Sequence, residues 1–60
     1  RLLEYLEKNA EATQTNLIHK THQQIAQELN SSREVITRLL KKLEQRGVVK
    51  VNRNQIELLN

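Results

Sequence analysis

Residues 21–47 read THQQIAQELNSSREVITRLLKKLEQRG, and they contain the two helices that decide the fold of this 60-residue chain. Thr21 and Gln24 have the spacing of a capping box, in which each side chain accepts from the other residue's backbone N–H. The first helix is therefore predicted to begin at Thr21. Asn30 can adopt the left-handed conformation that ends a helix, and Ser31 or Ser32 offers the next N-cap. The sequence thus predicts a tight turn between two helices.

The second helix carries apolar residues at helical spacing. Four of them, separated by three, one and three positions, fall on one side of a 3.6-residue helix, which we expect to pack into the core. These residues are Ile36, Leu39, Leu40 and Leu43. Gly47 can take a positive φ, so it predicts the end of this helix.

Two such helices also fit an ordinary helical hairpin, because periodicity alone does not fix the angle between them. Three details favour a helix-turn-helix. Ala26 is small enough to let the second helix cross closely, Ile36 can fill the angle between the helices, and the corner consists of Asn and Ser instead of a long loop. In a helix-turn-helix the second helix enters the major groove of DNA.

The exposed side of the second helix carries side chains suited to DNA bases. A rotation of about 100° per residue places Glu34, Thr37 and Arg38 away from the apolar stripe, and the long side chain of Arg33 extends from the first turn. Arg can bind guanine, Glu can accept from the cytosine amino group, and Thr can contact a base edge or a thymine methyl. Glu34 is the most informative of them, because DNA repels a carboxylate that has no specific partner.

The same residues also fit a solvated helix face. Glu34 and Arg38 have the i, i+4 spacing of an intramolecular ion pair, worth about 0.2–0.5 kcal/mol. Glu34 can also close a capping box with Ser31. Both interpretations stay open, because a pair formed in the free protein can exchange partners when DNA binds.

Basic residues are concentrated in the C-terminal half. The net charge is +3, with three basic and four acidic residues in 1–30 and seven basic and three acidic residues in 31–60. A basic surface around the second helix is expected of a protein that binds a phosphate backbone. A membrane-binding helix would also be basic, but the apolar stripe has no Trp or Phe anchor and no apolar run is long enough to span a bilayer. Tyr5 is the only aromatic residue, so single strands have little to stack on, and double-stranded DNA is the predicted partner.

The inventory of chemical groups is small. A chain of 60 residues can form one small domain, and because it has no Met we expect a fragment of a larger protein. The absence of Cys leaves no disulfide or thiolate zinc site and fits a cytoplasmic protein. His19 and His22 are the only histidines, there is no Asp, and Gly47 is the only glycine. We therefore predict no enzyme activity, no metal and no cofactor in this chain.

The sequence after Gly47, VVKVNRNQIELLN, predicts a β-hairpin. Apolar and polar residues alternate on both sides of a turn expected at Asn52 to Gln55. A hairpin that follows a recognition helix is a wing, and its Lys50 and Arg53 are placed to touch phosphates. Alternatively, these two charges protect an edge strand from aggregation.

The N-terminal part is predicted from weaker patterns. Residues 1–10 are expected to form a first helix that packs under the other two, and the polar residues 11–16 a loop. Residues 16–19 have an apolar centre and can add a third strand.

From Ile18 to Leu58 the chain resembles the C-terminal winged-helix domain of the Crp/Fnr family of bacterial transcription regulators. The resemblance is carried by THQQIAQEL, SSREVITRLLKKLEQRGVV and QIELL, and its most specific part is SRE followed, after three residues, by Arg38. It implies a mainly α (α+β) winged helix-turn-helix over 1–60, with three helices and a small antiparallel wing. The helix-turn-helix would span 21–46 and the wing 48–59.

The resemblance also implies roles for single residues. Arg33, Glu34 and Arg38 would read bases with recognition helix 32–46 in the major groove, and Thr37 would tune sequence preference. Phosphate contacts are implied for Thr21, Gln23 and Ser32, to which charge and position add three more. These additional residues are Lys41, Lys50 and Arg53.

For the parent protein the resemblance implies a homodimer on a palindromic operator and a contact with RNA polymerase. The dimer would form through an N-terminal part that this chain lacks, a cyclic-nucleotide-binding-like β-barrel followed by a long helix. Two residues depart from the family pattern: Lys20 stands where an apolar strand residue is expected, and Asn30 where the turn often has Gly. The alternative function is a winged helix that binds protein, which would show an apolar or acidic recognition surface.

Overall fold

A computed structural model describes residues 1–59. Its elements, in chain order, are α1 (Leu2–Thr13), β1 (Leu17–Ile18), α2 (His22–Glu28), α3 (Arg33–Gln45), β2 (Val49–Asn52) and β3 (Gln55–Leu58). The strands form one antiparallel sheet in the order β1–β3–β2. The predicted fold class, three helices with a small antiparallel wing, is confirmed, and the third strand predicted within residues 16–19 is present as β1.

Both helices of the helix-turn-helix begin at side-chain caps. Thr21 Oγ1 accepts from the N–H of Gln24 at 3.1 Å, and Gln24 Oε1 accepts from the N–H of Thr21 at 2.8 Å, so the predicted capping box is confirmed. Ser32 Oγ accepts from the N–H of Val35 at 3.2 Å and caps α3. Because the N-cap is Ser32, the alternative in which Glu34 closes a capping box with Ser31 is wrong.

All three helices end in the same way, with one residue in the left-handed conformation. These residues are Gln14 (φ 55°), Asn30 (φ 53°) and Gly47 (φ 78°). The residue that follows each of them donates its N–H to a carbonyl five positions back, which is the long bond of the Schellman motif. The three bonds are Thr15 to Ala10 (3.1 Å), Ser31 to Ala26 (2.8 Å) and Val48 to Leu43 (3.2 Å). The predicted helix ends at Asn30 and Gly47 are confirmed.

The first helix is longer than the sequence predicts. The prediction ended it at residue 10 and made residues 11–16 a loop, which is wrong because α1 continues to Thr13. The polar composition was misleading, since this last turn is exposed and polar residues are compatible with an exposed helix. Gln14 ends the helix through its left-handed backbone, although Gln is a good helix former and gives no stop signal.

Replacing Gln14 with Gly should stabilise the fold. A Cβ makes the left-handed conformation unfavourable by about 1–2 kcal/mol, and Gly removes this cost while loosening the unfolded chain. We expect Gln14→Gly to raise the free energy of unfolding by about 0.5–1 kcal/mol, measured by urea denaturation with circular dichroism. Gln14→Ala, which keeps the Cβ, is the control and should give no increase. An unchanged midpoint for Gln14→Gly would show that the left-handed residue is not strained.

The core lies between the three helices and the inner face of the sheet. Its largest fully buried side chains are Leu6, Ile25, Ile36, Leu40, Val49 and Ile56. Leu39, predicted to pack in the core with Ile36, is instead 39% exposed. At about 100° per residue Leu39 lies roughly 60° to one side of Ile36, whereas Leu40 lies to the other side, so only Leu40 faces the core.

The sheet positions the wing beside α3. Ile56 lies opposite both Ile18 in β1 and Val51 in β2, which makes β3 the central strand. The predicted hairpin turn is confirmed, because β2 ends at Asn52 and β3 begins at Gln55, with φ 56° at Asn54 between them. β1 ends at Ile18, so the unexpected Lys20 lies outside the strand and does not disturb its pairing.

Candidate nucleic-acid interface

The four predicted base-reading residues lie together on the exposed side of α3. Arg33, Glu34, Thr37 and Arg38, together with Lys41, line one shallow depression, which we call the reading groove. All five residues are exposed. The amphipathic sequence of α3 explains this arrangement, because burial of Ile36 and Leu40 in the core turns the polar stripe of the helix outward.

Glu34 and Arg38, which lie in the reading groove, are not paired with each other. The ion pairs within residues 1–59 join the N-terminal amine to Glu4 and Lys20 to Glu28, so neither involves Glu34 or Arg38. Glu34 lies in the first turn of α3, where the positive end of the helix dipole stabilises a carboxylate. Both side chains are exposed and able to meet partners outside the chain.

A second depression lies between the start of α2, the start of α3 and the wing. It is lined by Thr21, His22, Gln23, Arg33 and residues 51–54, and we call it the wing recess. Three predicted phosphate-binding residues, Thr21, Gln23 and Arg53, therefore share one recess. Arg33 lines both the recess and the reading groove, so the two depressions form one continuous surface.

The other predicted phosphate-binding residues are exposed at different places. Lys41 lies within the reading groove, Ser32 caps α3, and Lys50 projects from β2, which is an edge strand. Arg53 lies in the hairpin turn and not in the paired part of the strand, so protection of a strand edge applies to Lys50 alone.

The capping hydroxyls keep a free hydrogen. Thr21 and Ser32 each accept a backbone N–H through the side-chain oxygen, which uses one lone pair. A hydroxyl also carries one O–H donor, which the cap does not use. Both residues can therefore hold the helix start and donate to an anionic oxygen at the same time.

Sequence reasoning missed a contact between His22 and Thr37. His22 Nδ1 lies 2.8 Å from Thr37 Oγ1 and joins the first residue of α2 to the reading groove. Partial burial, with the positive charge of Arg33 as the second cause, lowers the pKa of His22 below its ordinary value. No local pattern points to this pair, because its members are 15 residues apart and meet only after the two helices cross.

A polar cluster of Tyr5, Lys20 and Glu28 joins α1 to α2. Lys20 Nζ donates to the two carboxylate oxygens of Glu28 at 2.8 and 3.0 Å and to the Tyr5 hydroxyl at 3.2 Å, and that hydroxyl donates to Glu28. The hydrogen bond between Lys20 and Glu28 lowers the pKa of Glu28 and raises the pKa of Lys20. Burial raises the pKa of Tyr5. Lys20 departs from the family pattern in sequence, and this cluster gives it a structural role.

A side-chain hydrogen bond joins the wing to α3. Glu44 Oε2 accepts from the backbone N–H of Val51 at 3.2 Å. This bond joins α3 to the strand that carries Lys50. Sequence reasoning did not identify it.

In residues 1–59 no three or more His, Asp or Glu side chains are grouped so that they could hold a metal ion. None of the three described helices has the length and apolar character needed to cross a membrane.

The two crossed helices, the tight turn and the hairpin define a winged helix-turn-helix domain. The sequence profile of the Crp-like helix-turn-helix domain matches residues 1–60. The chain therefore belongs to this family, whose domains are associated with DNA binding and transcription regulation, and the predicted resemblance to Crp/Fnr regulators is confirmed.

Two solved structures are similar to the chain. One is a protein from Eubacterium rectale assigned to the Crp/Fnr family of transcriptional regulators, with 38% identity and a TM-score of 0.95 over 100% of this chain and 28% of that one. The other is the catabolite activator protein of Thermus thermophilus, with 26% identity and a TM-score of 0.87 over 97% of this chain and 27% of that one. The chain thus spans about a quarter of the length of these proteins. A comparison with curated protein sequences gave no match.

Proposed function

We propose that this chain binds double-stranded DNA sequence-specifically by placing α3, within recognition segment 32–46, in the major groove. The observation that carries the proposal is the reading groove, in which Arg33, Glu34, Thr37 and Arg38 lie together, exposed and without ion pairs among themselves. In a helix that only contacted phosphates Glu34 would weaken binding, because DNA would repel a carboxylate at that position.

Each member of the reading groove has a chemical role on a base edge. Arg33 and Arg38 can each donate two hydrogen bonds to O6 and N7 of guanine, while Glu34 can accept from N4 of cytosine. Thr37 can bond a base edge or pack its methyl group against thymine. One good bidentate contact of this kind discriminates between bases by about 1–3 kcal/mol.

Phosphate contacts on either side would fix the register of α3. Thr21, Gln23 and Arg53 would meet the backbone at the wing recess, and Ser32 would donate its free hydroxyl hydrogen. Lys41 and Lys50 would add charge–charge attraction, which is independent of sequence and falls with salt.

The proposal places the domain in a cytoplasmic, Crp/Fnr-like transcription regulator that acts as a homodimer and not as an enzyme. Two copies would occupy the half-sites of a palindromic operator about 34 Å apart, one turn of the double helix. A contact with RNA polymerase would then link operator occupancy to transcription. The similar regulators described above support this assignment, and its wider parts concern segments outside the chain.

The alternative is a winged helix that binds another protein. It is favoured by Val35 and Leu39, two large apolar side chains that are each 39% exposed on successive turns of α3. This apolar area adjoins a reading groove with three basic residues and one acidic residue, so the surface as a whole fits DNA better than an apolar partner.

Selection from a randomised duplex library tests the proposal. The whole chain, joined at Arg1 to a parallel two-stranded coiled coil, is incubated with the library at about 50 and 200 mM salt, and the retained duplexes are sequenced. Dimerisation is needed because one module makes only half of the contacts. We expect a palindromic motif, with affinity falling about 10³-fold between the two salt concentrations if six phosphates are contacted.

A matched control separates base recognition from charge. The same fusion carrying Glu34→Ala and Arg38→Ala together should keep a steep salt dependence but lose the motif at the base pairs that these two side chains read. Salt-insensitive retention by the unmodified fusion would favour the protein-binding alternative. Steep salt dependence without any motif would show binding to DNA that is not sequence-specific and would also contradict the proposal.

A further inference from the structure

The hydrogen bond between His22 and Thr37 connects a titratable ring to a predicted base-reading hydroxyl. The two atoms, His22 Nδ1 and Thr37 Oγ1, are 2.8 Å apart, and Thr37 also lines the reading groove. His22 is partly buried and Thr37 is exposed, so the hydroxyl faces the ring on one side and the solvent of the groove on the other. The presence or absence of a proton on Nδ1 therefore decides whether the hydroxyl can donate to a base or can only accept from one.

A hydroxyl has one hydrogen and two lone pairs. When Nδ1 carries no proton, Thr37 donates its hydrogen to the ring, and its oxygen can only accept from a base amino group, N6 of adenine or N4 of cytosine. When Nδ1 is protonated, the ring donates to Oγ1, and the hydroxyl hydrogen is free for an acceptor: O6 or N7 of guanine, N7 of adenine or O4 of thymine. The two states of Nδ1 thus match opposite kinds of base atom, a donor in one case and an acceptor in the other.

We propose that His22 determines specificity by setting, through this hydrogen bond, whether Thr37 acts as acceptor or donor toward DNA. Preference at the base pair facing Thr37 then changes with the protonation of His22. This inference rests on the proposed function, since it requires Thr37 to face a base. His22 is a positioning residue in this scheme, because it acts through Thr37 and need not touch the base.

The charged groups around His22 determine whether protonation of its ring is favoured or disfavoured. Within residues 1–59, the charged side chains that line the wing recess with it are Arg33 from α3 and Arg53 from the hairpin turn. Burial and Arg33 lower the pKa of His22 below its ordinary value, which favours the neutral ring in the free protein. The proposal assigns to this neutral ring the tautomer with its proton on Nε2, which leaves Nδ1 to accept from Thr37. Phosphates bound at the recess have the opposite effect on the pKa, and DNA binding is therefore coupled to proton uptake.

Proton uptake and base preference are separable effects. A positive His22 attracts every duplex alike, so the affinity of all sequences should rise as the pH falls. The proposed effect on Thr37 changes the ratio of affinities between duplexes that differ at one base pair. The ratio is therefore the quantity to measure.

The experiment uses the dimeric fusion described above and duplexes derived from the selected motif. The base pair facing Thr37 is the one whose preference is lost in Thr37→Val, which removes the hydroxyl and keeps the shape. Affinities for the four base pairs at this position are measured at about pH 5.5 and about pH 8, on either side of the ordinary pKa of histidine. For the unmodified protein we compare the affinity for cytosine, which presents only a donor, with the affinity for guanine or thymine, which present only acceptors. We expect this ratio to change by about three- to ten-fold, the equivalent of one hydrogen bond.

Variants of the two histidines provide the matched comparison. His22→Ala should make the ratio independent of pH, whereas His19→Ala, which removes an exposed histidine three residues away, should leave the pH dependence intact. A second measurement needs no substitution: nitrogen NMR shifts of the His22 ring in the 60-residue chain should show an unprotonated, hydrogen-bond-accepting Nδ1 at about pH 8.

The outcomes distinguish this inference from the function on which it rests. A selected motif whose preference at the Thr37 base pair does not change with pH would overturn the role of His22 and leave sequence-specific binding intact. An unchanged pH effect in His22→Ala, or a protonated Nδ1 in the free chain at about pH 8, would overturn it equally. Absence of any selected motif would refute the proposed function, and the role of His22 with it.

Discussion

Replacing Leu40 with Ala should sharply lower the free energy of unfolding of the chain. Leu40 is fully buried in the centre of α3, and truncating a buried Leu costs about 2–5 kcal/mol because it leaves a cavity in addition to the lost apolar contact. A domain of this size is stable by roughly 3–9 kcal/mol. One substitution therefore removes a large part of the total, and a small core cannot compensate elsewhere.

Leu39→Ala is the matched control, because it makes the same chemical change one residue earlier on the same helix. Leu39 is 39% exposed, so we expect its loss to cost about 1 kcal/mol or less. Thermal and urea unfolding, followed by circular dichroism, give both values. Equal destabilisation by the two variants would mean that α3 is rotated relative to the core, and the composition of the reading groove would then also be wrong.

Arg38→Ala and Glu34→Ala should each lower affinity by about 1–3 kcal/mol for the selected operator and relax preference at particular base pairs. The reason is that each side chain would meet one base edge, so its removal abolishes discrimination only there. The measurement is the affinity of the dimeric fusion for the operator and for every single-base variant of it. The two substitutions should affect different positions within the half-site.

Lys50→Ala provides the comparison, because it removes a predicted phosphate contact that does not depend on the DNA sequence. If Lys50 meets a phosphate, its removal should weaken all duplexes alike and reduce the salt slope by about one unit. If Lys50 only protects the edge of β2, DNA affinity should not change. A uniform loss across sequences for Arg38→Ala and Glu34→Ala as well would contradict the assignment of base-reading roles.

Most of the fold could be predicted because its boundaries are encoded locally. Three of these boundaries are recognisable within a few residues and are found in the structure: the capping box of Thr21 and Gln24, the left-handed Asn30, and Gly47 at the end of α3. The hairpin turn at residues 53–54 is equally local. The end of α1 at Gln14 was missed because a residue with high helix propensity occupies a left-handed position, which no sequence pattern marks.

The candidate site was predictable to the extent that one helix supplies it. Glu34, Thr37 and Arg38 follow from the rotation of a helix whose buried stripe is evident, although their roles on DNA remain predictions. The contacts that support them come from other elements. His22 reaches Thr37 from 15 residues away and Tyr5 reaches Glu28 from 23 residues away, so these pairs depend on how the helices cross. Periodicity contains no information about that geometry.

The hydrogen bond between Glu44 and Val51 affects how readily copies of this domain aggregate. Val51 lies on β2, at the edge of the sheet, and its N–H is directed away from β3 toward the helix. An unsatisfied N–H on an edge strand invites another chain to add its own strand, which is a common start of aggregation. Because the N–H of Val51 donates to Glu44, it is not available to pair with a strand of a neighbouring molecule.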